Sequence, residues 1–256
     1  MAESSEAERY LLEHAHYTED LALWRAVAEQ AEGPILDIGS AAGRVALELA
    51  RDGRDVVALD ADPSMLHALV VNAAQAGAAV GGRITTVCAD MRSFALETPV
   101  AVALAAMNTL QVLLSPEDQL ACLGHVRANL APGGEFWFDV SLPDLGDVQD
   151  AIGVVRAGDV VDDPERGVRL VHSFWYEWVD VITQTAQFTH RIDEIDHAGA
   201  GKVFLRHHEV HLFTPVELRH LLARAGFEVA QVWGDFAGAP LETGAERQVY
   251  RCRVAA

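Results

Sequence analysis

From residue 20 to about residue 140 the sequence alternates short apolar runs with longer amphipathic stretches, and this alternation restricts the chain to few folds. The runs are rich in β-branched residues and have the length of strands, whereas the stretches between them have helical spacing. Strands that are apolar on both faces are typical of a buried parallel sheet. The pattern therefore predicts an α/β fold, a doubly wound sheet with helices on both faces. The expected strands cover residues 35–38, 55–60, 83–90, 100–107 and 135–140.

Two later helices carry clear signals at their ends. Ser115 followed by Pro116 predicts the start of one helix, because a serine side chain caps free backbone N–H groups and proline fits the first turn. Thr214 and Pro215 predict a second start, and Gly226 predicts the end of that helix. Two further strands are expected to close the chain, at residues 228–233 and 247–254.

After Asp139 the apolar pattern changes to strict alternation from one residue to the next. Three such stretches follow one another with short gaps, which favours an antiparallel meander. We predict a small antiparallel β lid inserted after the fifth strand, over residues 141–213. The core would then consist of residues 1–140 and 214–256.

The formal net charge of −19 narrows the classes of partner. An acidic surface repels nucleic acid phosphates and anionic membranes, so a small neutral or cationic molecule is the better substrate candidate. Solubility explains the same acidity equally well. The longest apolar run, residues 100–107, is far too short to span a bilayer.

The cysteines and the amino terminus bear on the compartment. Cys88, Cys122 and Cys252 are scattered, which predicts neither a disulfide framework nor a zinc site. Residues 1–10 are acidic, whereas a signal peptide needs positive charge. We therefore expect a cytoplasmic protein.

Residues 33–44, GPILDIGSAAGR, have the form of a ligand-binding turn between a strand and a helix. Gly39 and Gly43 allow the backbone to approach a ligand, and the helix start offers free N–H groups to an anionic group. Dinucleotide folds use the spacing G-x-G-x-x-G, so the G-x-x-x-G spacing here disfavours a nicotinamide oxidoreductase. Ala41 fills the middle position, where a third glycine is usual.

Polar side chains follow the ends of successive predicted strands. Asp60 ends the second strand, 21 residues after Gly39, where a carboxylate can accept hydrogen bonds from both ribose hydroxyls. Asp90 ends the third strand beside Met91, a pair suited to an adenine amino group and ring. Each acid taken alone fits a helix cap equally well. Together with Asp37 they place three acids at three consecutive strand ends, which favours a ligand site.

These stretches resemble the class I S-adenosylmethionine-dependent methyltransferases, and the resemblance covers nearly the whole chain. It is carried by ILDIGSAAGRVALELARDGRDVVALDADPSML, CADMRSF, LAPGGEFWFDV and FTPVELRHLLARAGFEVAQVWGDF. The resemblance implies a Rossmann-like, mostly parallel seven-stranded sheet whose last strand is antiparallel. It also implies a cofactor, S-adenosyl-L-methionine, lying across the strand ends.

The same resemblance implies a set of cofactor contacts. They are Asp37, Gly39 and Gly43 at the methionine part, Asp60 at the ribose, Ala61 and Met65 on one side of the adenine, Asp90 and Met91 on the other, and Met107 and Asn108 facing the sulfonium. The neighbouring Ala41, Arg44 and Arg92 are included in this cofactor-binding set.

Two further features resemble a narrower group, the small-molecule methyltransferases that act on amines, including deoxyamino-sugar N-methyltransferases. One is YTEDLALW at 17–24, where Tyr17 would close over the cofactor. The other is RHHEVHLFT at 206–214, a pattern that recurs in that group before the last helix.

Methyl transfer to an amine or an alcohol calls for a base near the fourth strand end or under the lid. On the predicted strand at 202–213, His207, Glu209 and His211 share one face, which suits a metal site or a base with an orienting carboxylate. A solvated face explains most of these imidazoles as well, and we expect no metal. We predict His211 as the base, Gln111 as a group orienting the nucleophile, and His207 as a substrate contact.

An aromatic stripe marks the first strand of the meander. Alternation predicts that His172, Phe174, Tyr176 and Trp178 face the same way. The three aromatic residues would wall a substrate pocket and attract an aminium, and His172 joins the catalytic candidates. Packing of the lid onto the core explains the stripe too, and both explanations are compatible.

These features predict a methyltransferase that modifies a small molecule on nitrogen or oxygen by direct displacement in a biosynthetic pathway. Three alternatives stay open at this point: C-methylation of an activated carbon, a cyclisation that uses the cofactor as scaffold, and a non-catalytic binding module. A homodimer formed through the lid is a further expectation.

Overall fold

The computed structural model describes residues 6–14, 17–142, 150–164 and 166–255. Two sheets organise these residues. The strands are β1 (Ile35–Ile38), β2 (Val56–Asp60), β3 (Ile84–Cys88), β4 (Val100–Ala105), β5 (Leu130–Ser141), β6 (Arg156–Asp163), β7 (Val168–Asp180), β8 (Thr185–Asp196), β9 (Gly201–His211), β10 (Phe227–Trp233) and β11 (Arg247–Val254). The helices are α1 (Glu6–His14), α2 (Leu21–Glu29), α3 (Arg44–Arg51), α4 (Pro63–Gln75), α5 (Ala78–Gly81), α6 (Pro116–Asn129) and α7 (Pro215–Arg224), with a 3-10 turn at Thr109–Val112.

The larger sheet has seven strands in the order β10-β11-β5-β4-β1-β2-β3. β1 pairs in parallel with β2 and β4, and β11 pairs antiparallel with β5 and β10. The predicted mostly parallel sheet with an antiparallel last strand is therefore confirmed. The order reverses at β1 and β4, and in such sheets a crevice for ligands opens beyond the strand ends at the reversal.

The predicted helix ends also form. The Ser115 side chain accepts a hydrogen bond from the Asp118 backbone N–H at the start of α6. At α7, Thr214 and Glu217 form a reciprocal capping box, in which each side chain accepts a bond from the other's backbone N–H. These caps fix where each helix meets its neighbouring strands.

The core lies on both faces of the seven-stranded sheet. Alternate residues of the strands point to opposite faces, so Leu36 and Ile38 belong to one buried cluster and Ile35 to the other. The first cluster packs against α6 and α7, and the second against α2, α3 and α4. Helices thus cover both faces, as the doubly wound pattern predicts.

The smaller sheet is antiparallel, in the order β6-β7-β8-β9, and lies in sequence between β5 and α7. Its last three strands match the predicted meander, and β6 is an additional strand. A β-bulge between Tyr176 and Trp178 breaks the alternation of β7. Because Trp178 pairs with Gln187, it lies on the face opposite to Tyr176.

Candidate active site

The loop after β1 requires glycine at two positions. Gly39 has a φ of 66°, and a Cβ added there would lie 2.7 Å from the Thr109 Cγ2 atom. Gly43 has a φ of 93°, and its added Cβ would overlap the Leu69 side chain. Both positions therefore need glycine, and Gly43 directly precedes α3.

Ala41 departs from this pattern because it is an alanine in the left-handed region, with a φ of 45°. Its backbone N–H donates to the Asp60 Oδ2 atom at 2.8 Å. The Asp60 Oδ1 atom accepts from the Asp62 N–H at 2.9 Å. Asp60 therefore fixes the loop, and each carboxylate oxygen keeps a further acceptor site for a hydroxyl.

A pocket of about 300 Å³ continues from Asp60 along the ends of β2 and β3. Gly39, Ala61, Asp90 and Met91 line it together with Asp60. The pocket therefore brings together residues that the sequence predicts to contact the ribose and the adenine.

The surroundings of Asp90 and Met65 differ from the sequence expectation. The Asp90 carboxylate accepts bonds from the Arg92 guanidinium, which also reaches Asp118 at 3.2 Å. These bonds hold the pKa of Asp90 below its usual range. Met65 is buried against Ala41 beneath the loop and does not line the pocket.

Asp37, on β1, is buried at 2% exposure, and its Oδ2 atom has no hydrogen-bond partner among the described residues. Burial raises the pKa of Asp37 to about 7, although the nearby Arg44 opposes this shift. A buried acceptor of this kind fits a ligand that brings its own donor.

Arg44, the first residue of α3, ties the amino-terminal segment to the loop. Its guanidinium donates two bonds to the Asp20 carboxylate, at 2.7 and 2.6 Å, and one to the Tyr17 carbonyl at 3.1 Å. The Arg44 charge lies 5.1 Å from the Tyr17 ring centre. Asp20 is fully buried and also accepts a bond from the Trp24 indole. Asp20 is not among the residues predicted from the sequence.

Two left-handed residues, Met107 and Asn108, follow β4, with φ values of 58° and 63°. Hydrogen bonds hold this unusual backbone: the Met107 N–H donates to Asp139, and the Ser141 N–H donates to the Asn108 side chain. Asp139 is itself buried beside Arg247. Such conformations persist only where the surroundings enforce them, and they concentrate at functional sites.

A cavity of about 760 Å³ opens between this edge of the large sheet and the small sheet. The large sheet and its loops contribute residues of the predicted cofactor set. The side chains that close the cavity from the other sides come from α1 and the small sheet. They include Tyr10, Glu13, His14, Phe174, Phe188, His190, Arg206 and His208.

Sequence analysis missed most of these closing residues. On β7, β8 and β9, Phe174, His190 and Arg206 pair directly and so share one face. Glu13 reaches across from α1 and accepts a bond from Arg206 at 2.9 Å. Alternation could have identified the Arg206 and His208 face, but nothing in the sequence shows which face turns inward.

Two imidazoles at the cavity, those of His14 and His190, stay neutral near pH 7. Burial, with the charges of Arg44 and Arg206, lowers the pKa of His14 to about 3. Burial, with neighbouring imidazoles and Arg206, lowers the pKa of His190 to about 4. Burial and the Arg206 charge therefore disfavour a positive charge on these two rings.

Two predicted substrate contacts need correction, and a third, His207, stays a prediction. His207 is exposed but is among the residues that line the cavity, and its ring nitrogen lies 2.9 Å from the Thr189 hydroxyl. Trp178 is 37% exposed on the outer face of the small sheet because of the β7 bulge. Tyr176 points inward but packs with Ala186 and Leu212 outside the cavity lining, so only Phe174 of the stripe lines it.

The three catalytic candidates lie behind the cavity wall. His211 is buried, and its Nε2 atom lies 2.6 Å from Glu217 of α7. Gln111 is buried and donates to the His211 carbonyl at 2.9 Å, so this pair joins β9 to the 3-10 turn. His172 is buried at 5% exposure, and its Nδ1 atom lies 3.1 Å from the His190 Nε2 atom. His172 and Gln111 each contact a residue that lines the cavity: His172 contacts His190, and the Gln111 N–H donates to the Asn108 carbonyl at 2.8 Å.

Two negative findings concern the described part of the chain. It holds no group of three or more His, Cys, Asp or Glu side chains arranged to bind a metal ion. None of its helices is long and apolar enough to cross a membrane.

Comparison with known proteins identifies similar methyltransferases. Residues 35–134 match the family model described as a methyltransferase domain. The cypemycin N-terminal methyltransferase of a Streptomyces species is 27% identical over 208 residues, which are 80% of this chain and 77% of that protein. The CcbJ methyltransferase from Streptomyces caelestis superposes with a TM-score of 0.74 at 26% identity, covering 92% of this chain and 90% of that one.

A second similar structure shares the fold. It is S-adenosylmethionine-bound CalS10 from Micromonospora echinaspora, an amino pentose methyltransferase, with a TM-score of 0.66 and 22% identity over 90% of this chain and 87% of that one. Residues 35–134 therefore match a methyltransferase domain, and the fold and strand-end crevice resemble those of class I S-adenosylmethionine-dependent methyltransferases. The similar proteins include a small-molecule methyltransferase, and S-adenosyl-L-methionine is the cofactor of this class of enzyme.

Proposed function

We propose that this enzyme transfers the methyl group of S-adenosylmethionine to an amine nitrogen of a small molecule by direct in-line displacement. The observation that carries the proposal is the cavity wall, which keeps His14 and His190 neutral. Burial and the Arg206 charge would act on a bound ammonium in the same direction and lower its pKa. An amine held there as the free base has the lone pair that attack on the methyl carbon needs.

The cofactor would lie along the strand ends. Asp60 would accept bonds from the ribose hydroxyls, and the pocket beside Ala61, Asp90 and Met91 would hold the adenine. Asp37, with its unpartnered oxygen, suits the ammonium of the methionine part. In this arrangement Met65 supports the loop beneath the cofactor.

The sulfonium supplies an activated methyl group, so the protein's task is to position the acceptor. The left-handed backbone at Met107 and Asn108 borders the cavity between the two sheets. Phe174 and Phe188 line the same cavity and would exclude water from the acceptor.

Two similar proteins support nitrogen over oxygen. One is described as an N-terminal methyltransferase and another as an amino pentose methyltransferase. The net charge of −19 favours the approach of a cationic amine and disfavours nucleic acid.

A matched acceptor panel tests the proposal. Purified enzyme is incubated with ¹³C-methyl S-adenosylmethionine and with amino sugars or short peptides carrying a free amino terminus. Each is paired with the same compound bearing hydroxyl in place of the amine. We expect products that are heavier by one labelled CH2 unit and whose NMR shift identifies N-methyl. O-methyl or C-methyl products would contradict the amine assignment, and a product of unchanged mass would indicate cyclisation.

We also propose that the outer face of the small sheet joins two copies of the chain. Its exposed apolar residues include Val203 at 55% and Leu205 at 54% exposure. Exposed apolar clusters on sheets are common at subunit contacts. Sedimentation equilibrium should give a dimer that the double substitution V203E and L205E converts to a monomer, whereas a monomeric parent enzyme would contradict the proposal.

A further inference from the structure

A line of polar groups leads from the cavity to the outside of the small sheet. It begins at His190 on β8, which lines the cavity. The His190 Nε2 atom lies 3.1 Å from the His172 Nδ1 atom on β7. This is hydrogen-bond distance, so one of the two imidazoles donates a ring N–H to the other.

The second nitrogen of His172 is the next point on this line. Its Nε2 atom is buried and has no hydrogen-bond partner among the described residues. A buried ring nitrogen of this kind is expected to bond to an ordered water molecule. His172 itself is 5% exposed, whereas the neighbouring edge strand β6 is mostly exposed.

An irregularity in β6 lies opposite His172. Ala157 pairs with Ser173 and Val160 pairs with Val171, so Gly158 and Asp159 together face His172. A Cβ added to Gly158 would lie 3.0 Å from the His172 Cβ atom, so the backbone passes close to the imidazole-bearing residue. The negative charge of the exposed Asp159 acts on His172 and opposes the lowering of its pKa by burial.

We infer that His190, His172 and Asp159 form a proton relay that carries the proton released on amine methylation from the cavity to solvent at the edge of β6. The inference rests on the proposed amine methylation and assigns a route to the proton that this reaction releases. His190 is the group that would contact the acceptor. His172 and Asp159 act through it.

The step balances without any further reactant. The amine lone pair forms the N–CH3 bond as the S–CH3 bond breaks, which leaves S-adenosylhomocysteine and a methylated ammonium. The ammonium gives a proton to Nδ1 of His190, and the proton on Nε2 of His190 passes to Nδ1 of His172. The proton on Nε2 of His172 then passes to water at the edge of β6, where the negative charge of Asp159 favours its departure. Each imidazole accepts at one nitrogen and releases at the other.

The charged and titratable groups around the relay favour movement outward. Arg206 and His208 from β9 disfavour a positive charge on His190, and Glu13 from α1 bonds to Arg206. Asp159 on β6 favours a positive charge on His172. The favourable charge therefore lies at the outer end of the relay.

Kinetics with two variants test the relay, using the amine of the acceptor panel that is turned over fastest. We expect H172A and D159N each to lower kcat at least about tenfold with little change in KM, because proton transfer becomes limiting. The kcat ratio between H2O and D2O should rise in both, and added imidazole should restore part of the H172A rate. The matched control is D162N, which removes an exposed charge from the same strand.

A second measurement needs no acceptor. In ¹⁵N NMR of the enzyme with S-adenosylhomocysteine, His172 and His190 should titrate as a coupled pair, and D159N but not D162N should lower the apparent pKa of that pair. If an amine is methylated but the solvent isotope ratio and this titration do not change in D159N, the relay is wrong while the proposed function stands. If no amine in the panel is methylated, the proposed function fails, and the titration still decides whether the three groups are coupled.

Discussion

Ala41 holds the cofactor loop in a strained backbone conformation. Its left-handed backbone is disfavoured for alanine by roughly 1–2 kcal/mol. The bond from its N–H to Asp60 requires this geometry, so the strain is retained. We expect A41G to raise the free energy of unfolding by about 1 kcal/mol, less than the full strain because glycine also gains freedom in the unfolded chain.

Urea denaturation checks this prediction, and calorimetry with S-adenosylhomocysteine should show only a modest change in affinity. A loss of stability in A41G would mean that the Ala41 methyl group contributes more through its packing against Met65 than the backbone strain removes.

Asp60 is the residue on which cofactor binding should depend most. Its carboxylate fixes the loop through Ala41 and would bind the ribose hydroxyls. Charge-assisted bonds are strong, so D60A should weaken S-adenosylmethionine binding by more than about tenfold. The control is D55A. Asp55 directly precedes β2, its side chain is 70% exposed, and it pairs with Arg83. Equal affinities for D60A and D55A in calorimetry would contradict the assignment.

At the scale of elements, the amino-terminal segment depends on one buried ion pair. Removing one partner of a buried pair costs about 3–5 kcal/mol, because the other charge is left unpaired. We therefore expect D20A to lose stability by about that amount, since Arg44 would be stranded. D52A breaks an exposed pair with Arg25 and should cost under about 1 kcal/mol. Similar losses in both variants, measured by thermal unfolding, would show that the Asp20 pair has no special role.

The elements that the sequence predicted correctly carry their signals locally. Ser115 and Thr214 mark helix starts by their own side chains, and the apolar runs identify the parallel strands. β6 escaped prediction because its sequence, RAGDVVDD, is largely polar. The face of Trp178 was wrong because one extra residue in β7 reverses the alternation, and no local pattern shows it.

The candidate site divides in the same way. The positions at strand ends could be predicted because strand ends meet at one edge of a parallel sheet. The side of the cavity formed by α1, His190 and Arg206 could not, because it depends on how the small sheet and α1 pack over that edge. Local sequence fixes which residues alternate, and tertiary packing decides which face is buried.

At the scale of the whole molecule, pH dependence of stability tests the buried charges. The pKa of Asp37 in the folded enzyme is about 7, above the value of 3.8 expected when it is exposed. At a pH between these two values Asp37 is protonated in the folded state and ionised in the unfolded state. Asp37 therefore makes the enzyme less stable as pH rises from about 4 to about 7. We expect the stability of D37N relative to the parent to increase over this range, by about 1 kcal/mol or more.

Denaturation at several pH values measures this difference, with D55N as the control for an exposed acid. Opposing contributions come from His14 and His190, whose lowered pKa values make the enzyme more stable as pH rises from about 4 to about 6.5, but these contributions cancel in the comparison. A constant difference between D37N and the parent would show that Asp37 is charged throughout.

A crystal structure with S-adenosylhomocysteine tests the central claim most directly. We predict that the ribose hydroxyls bond to Asp60, that the adenine lies in the pocket beside Met91, and that the sulfur faces the cavity bounded by Phe174 and His190. The space beside the sulfur would then outline the acceptor. A cofactor bound away from Asp60, or a sulfur that faces away from this cavity, would contradict the account.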